Sequence, residues 1–104
     1  MSRFRIDHPT RPGAYAEYGH DHMLGFYAEC FIDQRSKPTA VLDFFKLGRT
    51  VTLQDCFEFL IAEGLIDRAD LETALTAMQD STRVRSRNVR RIVEIVGAFK
   101  SAAD

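Results

Sequence analysis

HDHMLGFYAECFI (residues 20–32) is the stretch that decides the class of fold. Its even positions are His20, His22, Leu24, Phe26, Ala28, Cys30 and Ile32; its odd positions are Asp21, Met23, Gly25, Tyr27, Glu29 and Phe31. Successive side chains of an extended chain point to opposite faces, so Phe26, Ala28, Cys30 and Ile32 on one side make the pattern of a half-buried strand. The polar, proline-bearing DQRSKPT (33–39) supplies a turn, and AVLDFFKL (40–47) a second strand. Residues 20–47 are therefore expected to form an antiparallel β-hairpin. A two-stranded hairpin is marginal in water, and its apolar face needs a cover.

The cover follows directly. TLQDCFEFLIAEG (52–64) places Thr52 as an N-cap with Asp55 three residues on. It then repeats apolar residues at Leu53, Cys56, Phe57, Leu60 and Ile61, and stops at Gly64. DRADLETALTAM (67–78) offers Asp67 as cap and a stripe of Leu71, Ala74, Leu75 and Met78. A third helix is expected from about Ser86 to about Ala102, with Val89, Ile92, Val93, Val96 and Phe99 on one side. Upstream, residues 1–19 carry Pro9, Pro12, Gly13 and Gly19 without an apolar period, which predicts an irregular arm, with Gly19 turning the chain into the strand. The expected architecture is α+β: an N-terminal arm (1–19) and an antiparallel β-hairpin (20–47) packed against three C-terminal α-helices (52–102). A chain of 104 residues is the size of one domain and holds one core without disulfides or a structural metal.

Composition agrees with a globular chain: 45% of residues are hydrophobic and 28% charged, far from the signature of disorder. No apolar run is long enough for a bilayer, and MSRFRIDHPT lacks the apolar stretch of a secretory signal, so a cytoplasmic protein is expected. Cys30 and Cys56 lie in apolar segments without a CxxC spacing and read as small buried hydrophobes of a reducing compartment.

Charge is unevenly placed. STRVRSRNVRR (81–91) holds five arginines and no acid, in a chain of net charge −1. Residues 1–80 carry 8 basic and 13 acidic side chains, a net of −5, and residues 81–104 carry 6 and 2, a net of +4. At 100° per residue, Arg87, Arg90 and Arg91 gather within about 80° of Arg83, opposite the apolar stripe, and form a solvent-facing ridge. Arg85 alone would point into the apolar arc, which argues that the regular helix starts after it, near a capping Ser86. Cations at a helix N-terminus also oppose the macrodipole by a few tenths of a kcal/mol each.

Three readings of Arg83, Arg87, Arg90 and Arg91 follow. The acidic helices before them, with seven acids and one base from Asp55 to Asp80, neutralise them within the molecule. An acidic protein surface or a second copy of the chain receives them, Arg being favoured at interfaces for its planar fork. Or they bind phosphates of nucleic acid, against which the acidic body and a pI near 6.3 count. A helix-turn-helix does not fit: the second helix would be the reader, and it carries Asp67, Asp70 and Glu72.

The other suggestive stretch is YGHDH (18–22). His20 and His22 share a face of a strand, as metal ligands can, with Asp7, His8 or Cys30 as further donors; the plainer reading is two half-buried histidines at a sheet edge and an Asp21 that caps a turn. No glycine-rich phosphate loop follows a strand and no GxSxG occurs. The sequence therefore favours a small non-enzymatic binding protein without a cofactor: a regulator, adaptor or inhibitor acting through protein contacts, with homodimerisation among its states.

Overall fold

The computed structural model describes residues 3–32 and 37–103. Four strands form one antiparallel sheet in chain order: β1 (Arg3–Asp7), β2 (Tyr15–Asp21), β3 (Gly25–Phe31) and β4 (Ala40–Leu42). Four helices follow: α1 (Phe44–Leu47), α2 (Leu53–Ala62), α3 (Arg68–Asp80) and α4 (Arg87–Ala103). The fold is α+β, as the alternation at 20–32 and the helical periods downstream predict.

Three expectations about the first half need correction. Residues 1–19 are not an irregular arm: they hold β1 and most of β2, with Arg3 opposite Gly19 and Asp7 opposite Tyr15. The period is there, carried on β1 by large apolar residues over only five positions and on β2 by small and amphipathic ones. Phe4 and Ile6 face inward on β1 between charged neighbours, and Ala14, Ala16 and Tyr18 are buried alternately approaching and along β2. Residues 20–32 are not one strand. Asp21 Oδ1 accepts the amides of Met23 and Leu24 at 2.8 and 3.0 Å, and this turn splits the stretch between β2 and β3. The turn role assigned to Asp21 holds, whereas Gly19 lies within β2 and pairs with Tyr27 of β3. In 40–47, only Ala40–Leu42 is strand. Asp43 then accepts the amide of Lys46 at 2.7 Å and caps the single turn of α1, because a short carboxylate stabilises free helix amides better than it fits a ladder. The β3–β4 pairing does place the two strands around the DQRSKPT turn, of which 33–36 lie outside the described residues.

The sheet buries its even-numbered face. Ile6, Ala16, Tyr18, Phe26, Ala28, Cys30 and Leu42 join Cys56, Phe57, Leu60, Leu71, Ile92, Val96 and Phe99 in one cluster, so sheet and helices share one core. Phe99 is its centre: fully buried, it stacks on Tyr18 with ring centroids 3.9 Å apart and meets Phe26 and Phe57 edge-on. Cys30 and Cys56 are buried and free, and burial raises their thiol pKa values to about 11 and about 12. The opposite sheet face has no second layer of described structure. It is closed by cross-strand pairs: Arg3 with Glu17 and Glu29, Tyr15 stacked on Phe31, and Arg5 over the Tyr15 ring at 3.9 Å.

Helix α2 is built as its sequence predicts. Thr52 and Asp55 form a reciprocal capping box, and Cys56, Phe57 and Leu60 are buried, with Leu53 and Ile61 partly so. Leu65 and Ile66 carry the chain into α3, which Asp67 caps. The buried stripe of α3 is Leu71, Ala74 and Ala77, with Leu75 and Met78 at its margin. Gly25 sits where the sheet meets the approach to α2. A side chain there would lie 2.6 Å from Thr50 Cγ2 and 2.9 Å from the Val51 carbonyl, at a φ of +86°. That close approach lets Phe26 donate its amide to Val51 and ties the helical half to β3.

Candidate functional site

The arginine-rich segment spans the joint between α3 and α4. Ser81 ends α3 in the left-handed region at φ 54° and returns its amide to the Ala77 carbonyl. Residues 82–86 are then non-helical, with Val84 turned toward the core between exposed Arg83 and Arg85. Ser86 starts α4: its carbonyl accepts the amide of Arg90 at 3.0 Å and its Oγ that of Val89 at 3.4 Å. The helix therefore begins after Arg85, which removes Arg85 from the apolar arc. Val89, Ile92, Ile95, Val96 and Phe99 are buried, and Val93 lies at the edge of the stripe.

The structure separates the four arginines singled out in the sequence. Arg83, Arg87 and Arg90 are exposed, and Arg85 joins them. Arg91 does not. Its guanidinium is partly buried and donates from Nη1 to the carbonyl of Leu65 at 2.9 Å and from Nη2 to that of Asp7 at 2.7 Å. Burial lowers its pKa from the ordinary arginine value, with the nearby Asp7 carboxylate acting the other way. Arg91 is a clamp that joins the end of β1 to the α2–α3 connection.

Neutralisation from within is the next question. Among the described residues, ion pairs join Arg3 to Glu17 and Glu29, Arg5 to Asp7, Arg49 to Asp55 and Arg68 to Glu58; none reaches Arg83, Arg85, Arg87 or Arg90 within 4.0 Å. Of the acids in and capping α2 and α3, three are engaged elsewhere, whereas Asp70, Glu72 and Asp80 of α3 form no ion pair within 4.0 Å among the described residues. Asp55 takes both guanidinium nitrogens of Arg49 at 2.7 and 2.9 Å, Glu58 takes Arg68, and Asp67 caps α3. Helix α4 has no acid in its first turn. Four guanidinium forks thus stand in solvent at the positive end of a helix, each able to grip a carboxylate or phosphate from outside.

The rings of His20 and His22 stand edge-on with centroids 6.0 Å apart. The His20 ring lies edge-on to Phe26 at 4.7 Å, with Nδ1 buried and unpartnered, while His22 is exposed. Among the described residues, no three His, Cys, Asp or Glu side chains gather where they could hold a metal ion. Likewise, no helix among them is long and apolar enough to cross a membrane. The exposure of Arg85 was recoverable from the sequence through the Ser86 cap; the clamp role of Arg91 was not, since both its acceptors are distant backbone carbonyls.

Compared with protein-family models, curated proteins and solved structures, the chain matches none.

Proposed function

We propose that this chain is a non-enzymatic protein-binding domain that uses Arg83, Arg85, Arg87 and Arg90 to hold an acidic surface of a protein partner, acting as a regulator, adaptor or inhibitor. The observation that carries the proposal is that these four exposed cations, set against an unfavourable helix dipole, have no acid of the same molecule within ion-pair distance among the described residues. Such a placement lowers stability slightly and gives nothing back within the fold, which is the usual mark of a surface kept for binding. A protein partner fits better than a nucleic acid, because the remainder of the chain carries a net of −5 and repels a long polyanion, whereas an acidic protein patch is local. Two buried free thiols suit a reducing compartment, in keeping with a cytoplasmic setting.

The test is affinity capture from native lysate at low and moderate salt, comparing the wild type with an Arg83→Glu, Arg87→Glu, Arg90→Glu variant. Arg91 is left intact because it holds the fold. The wild type is expected to retain a protein that is released as ionic strength rises, and the variant to lose it while keeping its far-UV circular dichroism. Salt-sensitive retention of random duplex or single strand by the wild type near about 150 mM salt would instead assign the ridge to nucleic acid.

A further inference from the structure

The β1–β2 connection (residues 8–14, HPTRPGA) is held by two turns of different chemistry. In the second, Ala14 donates its amide to the Arg11 carbonyl at 3.1 Å across Pro12 and Gly13, with Gly13 at φ +81°, and backbone alone closes it. The first is closed by a side chain. His8 Nδ1 accepts the amides of Thr10 at 3.1 Å and Arg11 at 3.0 Å, and the Thr10 hydroxyl lies 3.5 Å from the same nitrogen. Backbone amides only donate, so Nδ1 carries the lone pair and the ring is the neutral Nε2–H tautomer. The arrangement is that of an asparagine or aspartate turn, except that its acceptor titrates near neutral pH.

The surroundings of the ring favour its neutral form. Burial, then the Arg11 guanidinium of its own loop and Arg91 of α4, lowers the His8 pKa from the ordinary histidine value. The far edge of the ring faces an uncharged neighbour, since a Cβ on Gly64, just after α2, would lie 3.5 Å from Nε2. The carboxylates of the adjoining elements are turned to other groups. Asp7 of β1 pairs with Arg5, Asp67 accepts the Asp70 amide at the start of α3, and Glu63 at the end of α2 acts on the Cys30 thiol. A groove of about 500 Å³ lies between the loop and the helices, lined by Pro9 and Thr10 from the loop and by buried Leu65, Ile66 and Ile92 from the helical side. Its charged walls are Arg91, Asp67, Asp70 and Arg68, the last paired with Glu58.

We propose that His8 is a pH-sensitive latch on this groove: as the neutral tautomer it holds Pro9, Thr10 and Arg11 in place along it, and when protonated at Nδ1 it lets them go. The proton occupies the lone pair that both amides share, so both bonds are lost in one step and two backbone donors turn to water. A new cation then stands beside Arg11 and Arg91. The folded pKa lies below the unfolded one, so the stabilisation of the closed turn is complete above the unfolded value of about 6.5 and is lost as pH falls through the folded one. The turn at Pro12 and Gly13 has no such dependence and stays closed. The latch is separate from Arg83, Arg85, Arg87 and Arg90, and stands or falls independently of their partner.

The test is NMR of the full chain. In the wild type, the ring resonances of His8 at neutral pH should report the Nε2–H tautomer. The order parameters of the Thr10 and Arg11 amides should fall from about 0.85 at about pH 7.5 to below about 0.6 at about pH 5, while those of Ala14 and of α2 stay near about 0.85. His8→Asn places an acceptor that does not titrate where Nδ1 was, so Thr10 and Arg11 should remain rigid at both pH values. If that variant does not fold, the wild-type tautomer and order parameters decide. An Nδ1–H ring at neutral pH, order parameters at Thr10 and Arg11 that ignore pH, a fall shared by Ala14 and α2, or an equal fall in His8→Asn would each overturn the proposal.

Discussion

At the start of α2, Thr52 and Asp55 bond each other's backbone amides at 2.8 and 3.2 Å, and Arg49 closes on the Asp55 carboxylate with two nitrogens. At the start of α4 there is no acid, Ser86 reaches the Val89 amide only at 3.4 Å, and Arg87 and Arg90 stand exposed. Both helices are buried along one face by the same core. They differ only in their first turns, where one satisfies every rule of capping and charge and the other breaks two of them. A local departure from good helix chemistry inside an otherwise consistent fold points to a demand from outside the fold.

If the contrast is confined to the first turns, both helices should be equally dependent on the core beneath them. Phe99→Ala is expected to cost about 3–5 kcal/mol, and Leu60→Ala about 2–5 kcal/mol, in chemical denaturation. An unchanged midpoint for either would show that its helix is not anchored as described. A smaller effect separates two adjacent arginines. Arg91→Ala removes two charge-assisted bonds to backbone carbonyls and should lower stability by about 1.5–3 kcal/mol, while Arg90→Ala stays within about 0.5 kcal/mol. Equal losses would place Arg90 in the fold as well and weaken the case for the ridge.

The caps themselves come next. Thr52→Ala should cost about 1 kcal/mol and Ser86→Ala only a few tenths. The α2 cap also has a pH signature. The hydrogen-bonded Arg49 guanidinium, then the Thr52 amide, holds the Asp55 carboxyl well below its ordinary value. Its folded pKa is depressed, so the stabilisation is present above the unfolded value of about 3.9 and is lost as pH falls through the folded one. Acid titration of the wild type below about pH 4 should therefore destabilise it more steeply than Asp55→Asn, by an amount that solvent and salt reduce. Parallel curves would remove Asp55 from the account.

The smallest effect is the most discriminating in sign. Replacing Arg87 and Arg90 by Glu puts favourable charge at the α4 N-terminus and should raise stability by a few tenths of a kcal/mol per site, even as partner binding is lost. A falling melting midpoint would mean that the acids of α2 and α3 do neutralise the ridge at longer range.

The helices are legible in the sequence because their information is local. A cap, a period of 3.6 and a stop signal lie within one element, and Thr52, Asp55, Asp67 and Ser86 serve where their chemistry suggests. The strand at Phe26, Ala28 and Cys30 is legible for the same reason. In the first nineteen residues Phe4 and Ile6 alternate with charged neighbours over only five positions, and further on the alternation rests on Ala14, Ala16 and Tyr18, which say little about burial until a helix lies against them; Pro9, Pro12 and Gly13 mark a turn between strands as readily as an arm. AVLDFFKL misleads because its apolar residues suit a strand, whereas Asp43 ends the strand and caps a helical turn.

Within the candidate site, charge and exposure of Arg87 and Arg90 follow from composition and helical phase alone, whereas Arg83 is exposed in the non-helical segment before α4. The fate of Arg91 does not. Its position in the helix wheel is that of a ridge residue, and what turns it inward are the carbonyls of Leu65 and Asp7, 26 and 84 residues away. Backbone acceptors are the same for every residue type and leave no trace in the sequence, so only the packing of β1 and the α2–α3 connection against α4 makes Arg91 structural and leaves its neighbours free.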